Sequence, residues 1–548
     1  MTRWSVGCAL TVVLLAGFRG RVHADPFHHQ AIPLGENALG MGGAFAGVAN
    51  DPSSTYYNPA GLARLEDVSI SASLTLNAFD HLNIKNGFRT NEGETDLKHT
   101  TKPALPVFAS FVKQLGWKEG SARRHAIAFS TLTPDRRRLG FDAEIDGGPR
   151  ENRRVDTLSV ADERTVRWYG LSYAYRASPQ LSFGLSTFVS LSSMSHAEER
   201  LDLKLAGYDP ADNSYDNSVV TVRSTRARSN VANGIFRLGV LYAVSARLRV
   251  GAMFQPPSFK FKGKAFVRDR VVTAAAIPAA QQANYYVGEQ KDLASADPVP
   301  WELRLGVSWA PNYDMLLSFD ASAYGKRGSP DDPVVAIGPR EVTPGTQRAP
   351  QPGDFVVQEW YGKRTGNVAA GMEYKIREVV LVRAGAFTDL SAAPSVPKVS
   401  RTYRPSDINR LGATFSVGLI ARGYDVSLGV VGTFGWGKTQ SFSPDDLEIP
   451  YRRTSAKEQT LFVFLSGARR AAGKLMEDTY EKLREKMKNR QTLEEEGEQD
   501  EPIVPNEPIV PNEPSETNEP KEPEEPSEPK EPSEPKQPSE PNEPDQKD

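Results

Sequence analysis

The sequence predicts an all-β fold, a transmembrane antiparallel β-barrel, and three observations favour this class. Many segments of roughly ten residues alternate apolar and polar side chains, which is the period of a strand with two unlike faces. Short turns alternate with long polar loops along the chain, as in outer-membrane barrels. A mean hydropathy of -0.47 and a charged fraction of 25% suit such a barrel, because its lumen and loops are polar.

Residues 1–24 are predicted to be a secretion signal. A basic start, MTR, precedes the apolar run WSVGCALTVVLLAGF, and Ala24 offers a small residue for cleavage. Cys8 lies in this segment and is the only cysteine, so the mature chain can form no disulfide and no thiolate metal site. No stretch of about 18 apolar residues follows, so no transmembrane helix is predicted.

Alternation is clearest in three segments, VSISASLTLNAF from residue 68, QLSFGLSTFVSLS from residue 180 and ELRLGVSW from residue 302. Each presents one apolar face and one face of small or polar residues. A soluble β-sandwich also alternates, but both of its packed faces would be apolar. About 14 to 16 such segments, with inner faces rich in Ser and Gly, therefore favour a barrel over a sandwich.

The links between strands are predicted to differ at the two ends of the barrel. Residues 176–180 and 309–314 are expected to be tight turns. The long outer loops are expected at residues 133–160, 265–298, 326–355 and 436–457. Aromatic residues near the strand ends are predicted to form interfacial girdles: Trp168, Tyr169, Trp301, Trp309, Tyr313, Tyr324, Trp360 and Tyr361.

One strand region is interrupted by Pro256 and Pro257, and the apolar parity changes across them. Proline cannot donate to a strand ladder, so the region contains a turn, a bulge or a break. A turn between two strands is the favoured prediction, and a gap in the barrel wall is the alternative.

The C-terminal region is predicted to lie outside the barrel. The barrel is expected to span residues 67–468, and an amphipathic helix is predicted over residues 469–496. Residues 497–548 contain 17 acidic and 4 basic residues, and proline recurs every third residue over most of this range. That period matches polyproline II, so a disordered, extended Pro/Glu-rich tail is predicted, which acts as a spacer or tether.

Catalytic signatures are missing from the sequence. It contains no G-x-S-x-G, no H-E-x-x-H and no phosphate-binding loop, so no enzyme activity and no cofactor are predicted. The adjacent His28 and His29 are expected to be solvated and not to bind a metal ion. The run Arg136–Arg138 is expected to be a solvated part of an outer loop, with contact to lipopolysaccharide phosphates as the alternative. No nucleic-acid partner is predicted.

The N-terminal stretch ALGMGGAFAGVANDPSSTYYNPAGLARL resembles the signature of the FadL family of outer-membrane long-chain fatty acid and hydrocarbon transporters. The resemblance continues in VLVRAGAFTDLSAAPSVP and DINRLGATFSVGLIARGYDVSLG, and it covers residues 25 to about 468. It implies a barrel of 14 strands in the bacterial outer membrane, closed by a hatch over residues 25–66. The hatch and gating residues that it implies are Gly40, Gly42, Gly43, Phe45, Asp51, Tyr56, Tyr57, Asn58, Pro59 and Ala60.

Function follows from the same resemblance. It implies passive uptake of a hydrophobic small molecule, a fatty acid or hydrocarbon, which moves the hatch and leaves through the wall or base. A related signature opens other barrels, including shuttle proteins of the type IX secretion system, so a protein-interaction or secretion platform is the alternative. The Pro/Glu tail departs from the family pattern, and a cell-wall tether in the periplasm is the role predicted for it.

Overall fold

The structure is a computed structural model, and it describes the N-terminal region and the strands with short gaps between them. The described residues are 27–29, 32–65, 68–101, 108–115, 124–277, 280–328, 334–337, 357–377, 379–401, 404–421, 424–446 and 448–470. The predicted signal peptide, nearly all of the predicted C-terminal helix and the whole Pro/Glu tail lie outside these residues.

Strands dominate the described chain, and helices are confined to its N-terminal part. No described helix has the length and apolar character needed to cross a membrane. In chain order the elements are α1 (Asn37–Gly40), α2 (Ser54–Tyr57), a 3₁₀ helix (Pro59–Arg64), β1 (Val68–Thr90), β2 (Gly93–Thr101), β3 (Phe108–Leu115), β4 (His125–Gly147), β5 (Asn152–Arg176), β6 (Leu181–Asp209), β7 (Ser214–Ala243), β8 (Leu248–Gln255), β9 (Phe259–Ile277), β10 (Ala280–Ala294), β11 (Glu302–Trp309), β12 (Met315–Tyr324), β13 (Val334–Ile337), β14 (Val357–Trp360), β15 (Thr365–Ile376), β16 (Val380–Asp389), β17 (Val399–Ser400), β18 (Asp407–Ala421), β19 (Tyr424–Phe442) and β20 (Tyr451–Arg470).

The strands close into an antiparallel barrel. Its wall runs β1–β3–β4–β5–β6–β7–β8–β11–β12–β15–β16–β18–β19–β20, each strand antiparallel to the next. The last strand returns to the first, with Ser69 opposite Arg470. Closure removes the unpaired strand edges that an open sheet would leave.

The two faces of the wall differ as the alternation predicts. Apolar side chains of β1, β6 and β11 are exposed on the outside, whereas Ser, Arg and Glu side chains between them are buried inside. An outward apolar surface is stable only against hydrocarbon, so this band is the membrane-facing part of the wall. The exposed members in these strands are Ile70, Leu74, Phe183, Leu185, Val189, Leu191, Leu303, Leu305, Val307 and Trp309.

Several strands continue far beyond the apolar band, where loops were predicted. Strand β6 runs about 18 residues past Leu191, its last exposed apolar residue, or roughly 60 Å at 3.3 Å per residue. The prediction of loops at 133–160, 265–298 and 436–457 is therefore wrong over most of each range, because β4–β5, β9–β10 and β19–β20 form hairpins there. The fourth predicted loop lies mostly outside the described residues.

Charged pairs between neighbouring strands explain how such polar segments remain β-structure. Arg154 Nε lies 3.1 Å from Asp202 Oδ1, and Arg223 lies 2.7 Å from Asp269. The run Arg136–Arg138 lies in β4, not in a loop. Arg136 lies 4.0 Å from Glu163 of β5, and Arg137 lies 3.1 Å from Asp135 of its own strand. The same hairpin also has an apolar face, because Leu139, Phe141 and Ile145 of β4 are buried in one cluster with Leu158 and Val160 of β5.

The interruption at Pro256 is a break between two strands that occupy the same place in the wall, next to β7. The favoured prediction of a turn between strands is therefore wrong. Both β8 and β9 pair antiparallel with β7, with Phe254 opposite Leu238 and Phe259 opposite Gly234. On the other side, β8 pairs with β11, whereas β9 pairs with β10. The wall therefore changes neighbours across the prolines.

Residues 32–65, here called the N-terminal segment, lie inside the barrel. Inward hydroxyl groups from different sides of the wall donate to its carbonyl oxygens: Ser186 to Thr55 at 2.9 Å, Ser308 to Gly47 at 2.8 Å and Thr414 to Gly40 at 2.8 Å. An apolar cluster that includes Phe45, Tyr56 and Tyr57 of the segment and Trp168 and Phe188 of the wall joins the two.

Two predicted boundaries and two predicted girdle residues need correction. Strand β20 continues through Arg470, so the C-terminal helix cannot begin at residue 469. Trp168 and Tyr324 are buried on the inner side of the wall, at 4% and 3% exposure, and do not belong to a membrane girdle. In β5 the outward positions are the odd-numbered Tyr169, Leu171 and Tyr173, which places Trp168 inside.

Candidate functional site

The glycines of the N-terminal segment let its backbone turn tightly against the wall. Gly42 and Gly43 have φ values of +65° and +81°, in the left-handed region that other residues rarely adopt. A Cβ on Gly42 would lie 2.9 Å from the backbone nitrogen of Ala386 in β16. Gly40, whose carbonyl accepts from Thr414, lies against Arg383 and Ser416.

Asn58 fixes the turn between α2 and the 3₁₀ helix. Its Oδ1 accepts from the Ala60 N–H at 3.2 Å and caps the helix, in which Pro59 is the first residue. Its Nδ2 donates to the carbonyls of Ala46 at 2.9 Å and Val240 at 3.0 Å. One buried side chain therefore joins two parts of the N-terminal segment to β7.

Carboxylates fix two further turns of the segment. Asp320 of β12 accepts from the N–H groups of Phe45 and Ala46 through Oδ2, at 2.9 and 2.8 Å. Asp51 accepts from the Asn37 N–H at 3.0 Å and the Ser53 N–H at 2.6 Å. Hydrogen bonds to an ionised group are about twice as strong as neutral ones, so both carboxylates are substantial anchors.

The paired tyrosines face a network of buried ions. Arg237 lies over the Tyr56 ring at 4.1 Å, donates to the Tyr56 carbonyl and lies 2.8 Å from Glu302 Oε2. Arg304 lies 2.9 Å from the same Glu302 and 5.0 Å over the Tyr57 ring. The Tyr57 hydroxyl in turn accepts from the Leu34 N–H at 2.9 Å. The segment thus contacts the wall through both aromatic faces and charges.

A cavity of about 70 Å³ lies between this network and the wall. Tyr56, Trp168 and Val166 give it an apolar side, and Arg164, Arg237 and Arg327 give it a charged side. Asp297 pairs with Arg164 at 2.6 Å and also with Arg327, so the arginines are compensated by carboxylates.

Two irregularities of the wall border this cavity. Gln255 ends β8 just before the break, and Pro134 lies where the register between β4 and β5 shifts. Val299 and Pro300, in the connection from β10 to β11, also line the cavity, and the Val299 carbonyl accepts from the Ser258 N–H at 2.9 Å. The break is therefore covered by this connection and not by a paired strand.

The prediction that His28 and His29 are solvated is wrong. His28 Nδ1 lies 2.7 Å from Asp389 Oδ2, with both side chains buried, and His29 stacks on Tyr324 at 4.4 Å between ring centroids. Within the described part of the chain, no three His, Cys, Asp or Glu side chains lie close enough together to hold a metal ion.

Sequence reasoning missed the wall partners of the segment, namely Asp320, Arg237, Glu302 and Trp168. The first three had a visible signal, because a charged residue on the inner face of a membrane strand requires a partner. Which partner each would have depends on strand register and on pairs up to 275 residues apart, such as Asp320 and Phe45.

Comparisons with known proteins agree on one family and one fold. A family model described as outer membrane protein transport protein (OMPP1/FadL/TodX) matches residues 31–417. A FadL homologue from Pseudomonas aeruginosa has a similar structure, at 14% identity and a TM-score of 0.50, with 82% of this chain and 99% of that chain covered.

Two toluene transporters are less similar in structure, with TM-scores below 0.5. The toluene transporter TodX of P. putida has 15% identity and a TM-score of 0.45, with 80% of this chain and 98% of that chain covered. The toluene transporter TbuX of Ralstonia pickettii has 14% identity and a TM-score of 0.45, with the same coverage. A search of curated protein sequences gave no match.

Proposed function

The chain belongs to the outer membrane protein transport protein family (OMPP1/FadL/TodX), and we propose that it takes up a long-chain fatty acid or hydrocarbon, with the N-terminal segment as the hatch. It is an outer-membrane β-barrel of a transport family. The hatch, the substrate class and the count of about 14 wall strands are proposed here and go beyond family membership. The toluene transporters named above support a hydrophobic substrate.

The cavity between Tyr56 and Trp168 is the observation that carries the proposal. It lies between the segment and the wall, and two irregularities of the wall border it. A cavity of about 70 Å³ admits only one end of a long chain, so an entering ligand would press on the N-terminal segment and on the wall beside the break. Movement of the segment by a bound ligand would therefore open a route from the lumen towards the break.

The lining of the cavity favours an apolar ligand with at most one polar group. Its arginines already have carboxylate partners, so they offer no uncompensated charge to a ligand. Trp168 Nε1 is buried and has no hydrogen-bond acceptor among the described residues. An apolar body would gain about 25 cal/mol per Å² buried, and one ligand oxygen could accept from the indole N–H.

The hatch role is supported by the kind of contacts that hold the segment. Hydroxyl groups of the wall, Asn58 and Asp320 hold it through separate hydrogen bonds, each bond contributing about 1 to 3 kcal/mol. Contacts of this size can be exchanged for ligand contacts one at a time, whereas a disulfide could not.

Ligand retention tests the proposal. The mature full-length protein would be purified in detergent and extracted with organic solvent, and the small molecules released would be identified by mass spectrometry. We expect stoichiometric fatty acid or hydrocarbon in the unchanged protein and at least a tenfold loss in Trp168→Ala. The matched control is Trp309→Ala, which removes an outward tryptophan of β11 that is 49% exposed. Detergent and random lipid alone in every sample would refute the proposal.

A second role, tethering, is supported by where the last strand ends. β20 ends at Arg470, opposite Ser69, at the rim that carries the short turns. Short turns face the periplasm in barrels of this kind, so the chain leaves the wall on the side of the cell wall. Deleting residues 471–548 should leave uptake unchanged and release the barrel from isolated cell-wall sacculi. Unchanged co-sedimentation with sacculi would refute tethering.

A further inference from the structure

A second and larger cavity lies at the short-turn rim of the barrel. Its volume is about 370 Å³, and its lining includes Arg64, Arg176, Arg249 and Asp51. Arg64 ends the 3₁₀ helix of the N-terminal segment, Arg176 ends β5, and Arg249 is the second residue of β8. Three elements thus each bring one arginine to the same space, here called the arginine cavity.

The hydrogen bonds of Arg64 and Arg249 go to uncharged oxygens. Arg64 Nε donates to Ser182 Oγ at 3.0 Å, and its Nη2 donates to the Gln180 carbonyl at 2.5 Å. Arg249 Nη1 donates to the Val48 carbonyl at 3.4 Å. This differs from the other lumenal arginines described above, each of which has a carboxylate partner.

The single carboxylate in the lining is already engaged by the backbone. Asp51 accepts from the Asn37 and Ser53 N–H groups and stabilises the turn before α2. The lining thus contains three arginines and one carboxylate. The pKa of Arg64 is lowered, first by burial and then by the charges of Arg249 and Arg176.

We propose that the arginine cavity binds an oxyanion, a phosphate or carboxylate group, between Arg64, Arg176 and Arg249. Planar guanidinium groups match both anions through paired N–H donors. The cavity has room for such a group with water around it, because one water occupies about 30 Å³ of liquid. The occupant would join the base of the N-terminal segment to two wall strands. This inference stands independently of which hydrophobic molecule the barrel carries.

Calorimetric titration of the full chain in a neutral detergent tests the proposal. Sodium phosphate would be titrated at fixed ionic strength, with sodium chloride as the blank. We expect one phosphate per chain, and binding at least tenfold weaker in Arg249→Gln and in Arg64→Gln. The matched control is Arg247→Gln, which removes an exposed arginine from the neighbouring turn at the same rim. Heat-dependent mobility in SDS gels checks that each variant is folded.

The outcomes separate the source of the anion from the existence of the site. If decanoate displaces phosphate at least tenfold better than acetate does, the site holds the head of an amphiphile. If acetate and decanoate are equal, it holds a free anion. Phosphate heats equal to chloride heats, or equal phosphate affinity in all folded variants, would overturn the proposal.

Discussion

Removal of the Asp320 carboxylate should loosen the N-terminal segment without unfolding the barrel. In Asp320→Ala, the N–H groups of Phe45 and Ala46 lose their acceptor, to which they now donate at 2.9 and 2.8 Å. Hydrogen bonds to a charged group contribute about 1.5 to 3 kcal/mol each, so the loss is about 3 to 6 kcal/mol. Since about 1.4 kcal/mol is a factor of ten, the open population of the segment should rise at least 100-fold.

Hydrogen–deuterium exchange in detergent measures this directly, because the amides of residues 45 and 46 are the ones released. The control is Ser318→Ala on the same inner face of β12, whose hydroxyl donates to the Val307 carbonyl of the wall at 3.3 Å. We expect faster exchange over residues 44–49 in Asp320→Ala alone, with the β12 and β15 amides unchanged. Equal exchange of residues 45 and 46 in the two variants would refute the reasoning.

Three further perturbations have defined outcomes. Gly42→Ala should loosen the segment by at least 1 to 2 kcal/mol, because its φ is +65°; exchange rates measure it. Arg237→Ala should lower the SDS unfolding temperature, because it leaves part of the buried Glu302 charge uncompensated. Burial lowers the pKa of His196, but its carboxylate neighbours Asp162 and Glu198 have the larger, opposite effect, and the net pKa is raised to about 10. Because this exceeds the unfolded value of 6.5, its stabilisation is complete below about pH 6.5 and is lost as the pH rises through about 10.

Each of the three has a control and an outcome that would contradict it. Gly432→Ala, where a new Cβ would lie 3.9 Å from its nearest neighbour, should be neutral, and equal exchange in Gly42→Ala would argue against backbone strain. Arg247→Ala should not change the unfolding temperature. For His196, limited proteolysis of the β6–β7 hairpin should increase between pH 7 and pH 10 in the unchanged protein and lose that dependence in His196→Gln. A flat profile in both proteins would contradict the assigned cause.

The part of the fold that the sequence predicted is the part that contacts hydrocarbon. Ile70, Leu185 and Leu305 lie on the outside because lipid on one face and a polar lumen on the other impose strict alternation. Beyond the band Arg154 pairs with Asp202 across strands, but Leu139, Phe141 and Ile145 still alternate with polar residues along β4 and are buried in one cluster. The hairpins at 133–160 and 265–298 were predicted as loops because their charged sequences were interpreted as uniformly polar.

The candidate site was predicted in its glycines and its Asn58–Pro59 turn, but not in its partners. The positive φ of Gly42 and the cap formed by Asn58 are local properties that residue type suggests. The acceptor on Asp320 and the stacking of Arg237 on Tyr56 depend on which strands face the segment after closure. Trp168 was assigned to the girdle because it lies near a predicted strand end, and a parity count along β5 would have placed it inside. The secretion-platform alternative stays a prediction from the signature alone.

Pairing of the first wall strand with the last has a consequence for biogenesis. Ser69 and Arg470 are some 400 residues apart, and their pairing seals the ring. No shorter nascent chain can satisfy both sheet edges, so the unsealed intermediate must be shielded until residues 451–470 arrive. In this chain the sealing strand is followed by 78 more residues. The assembly machinery must therefore recognise the sealing strand at an internal position of the chain.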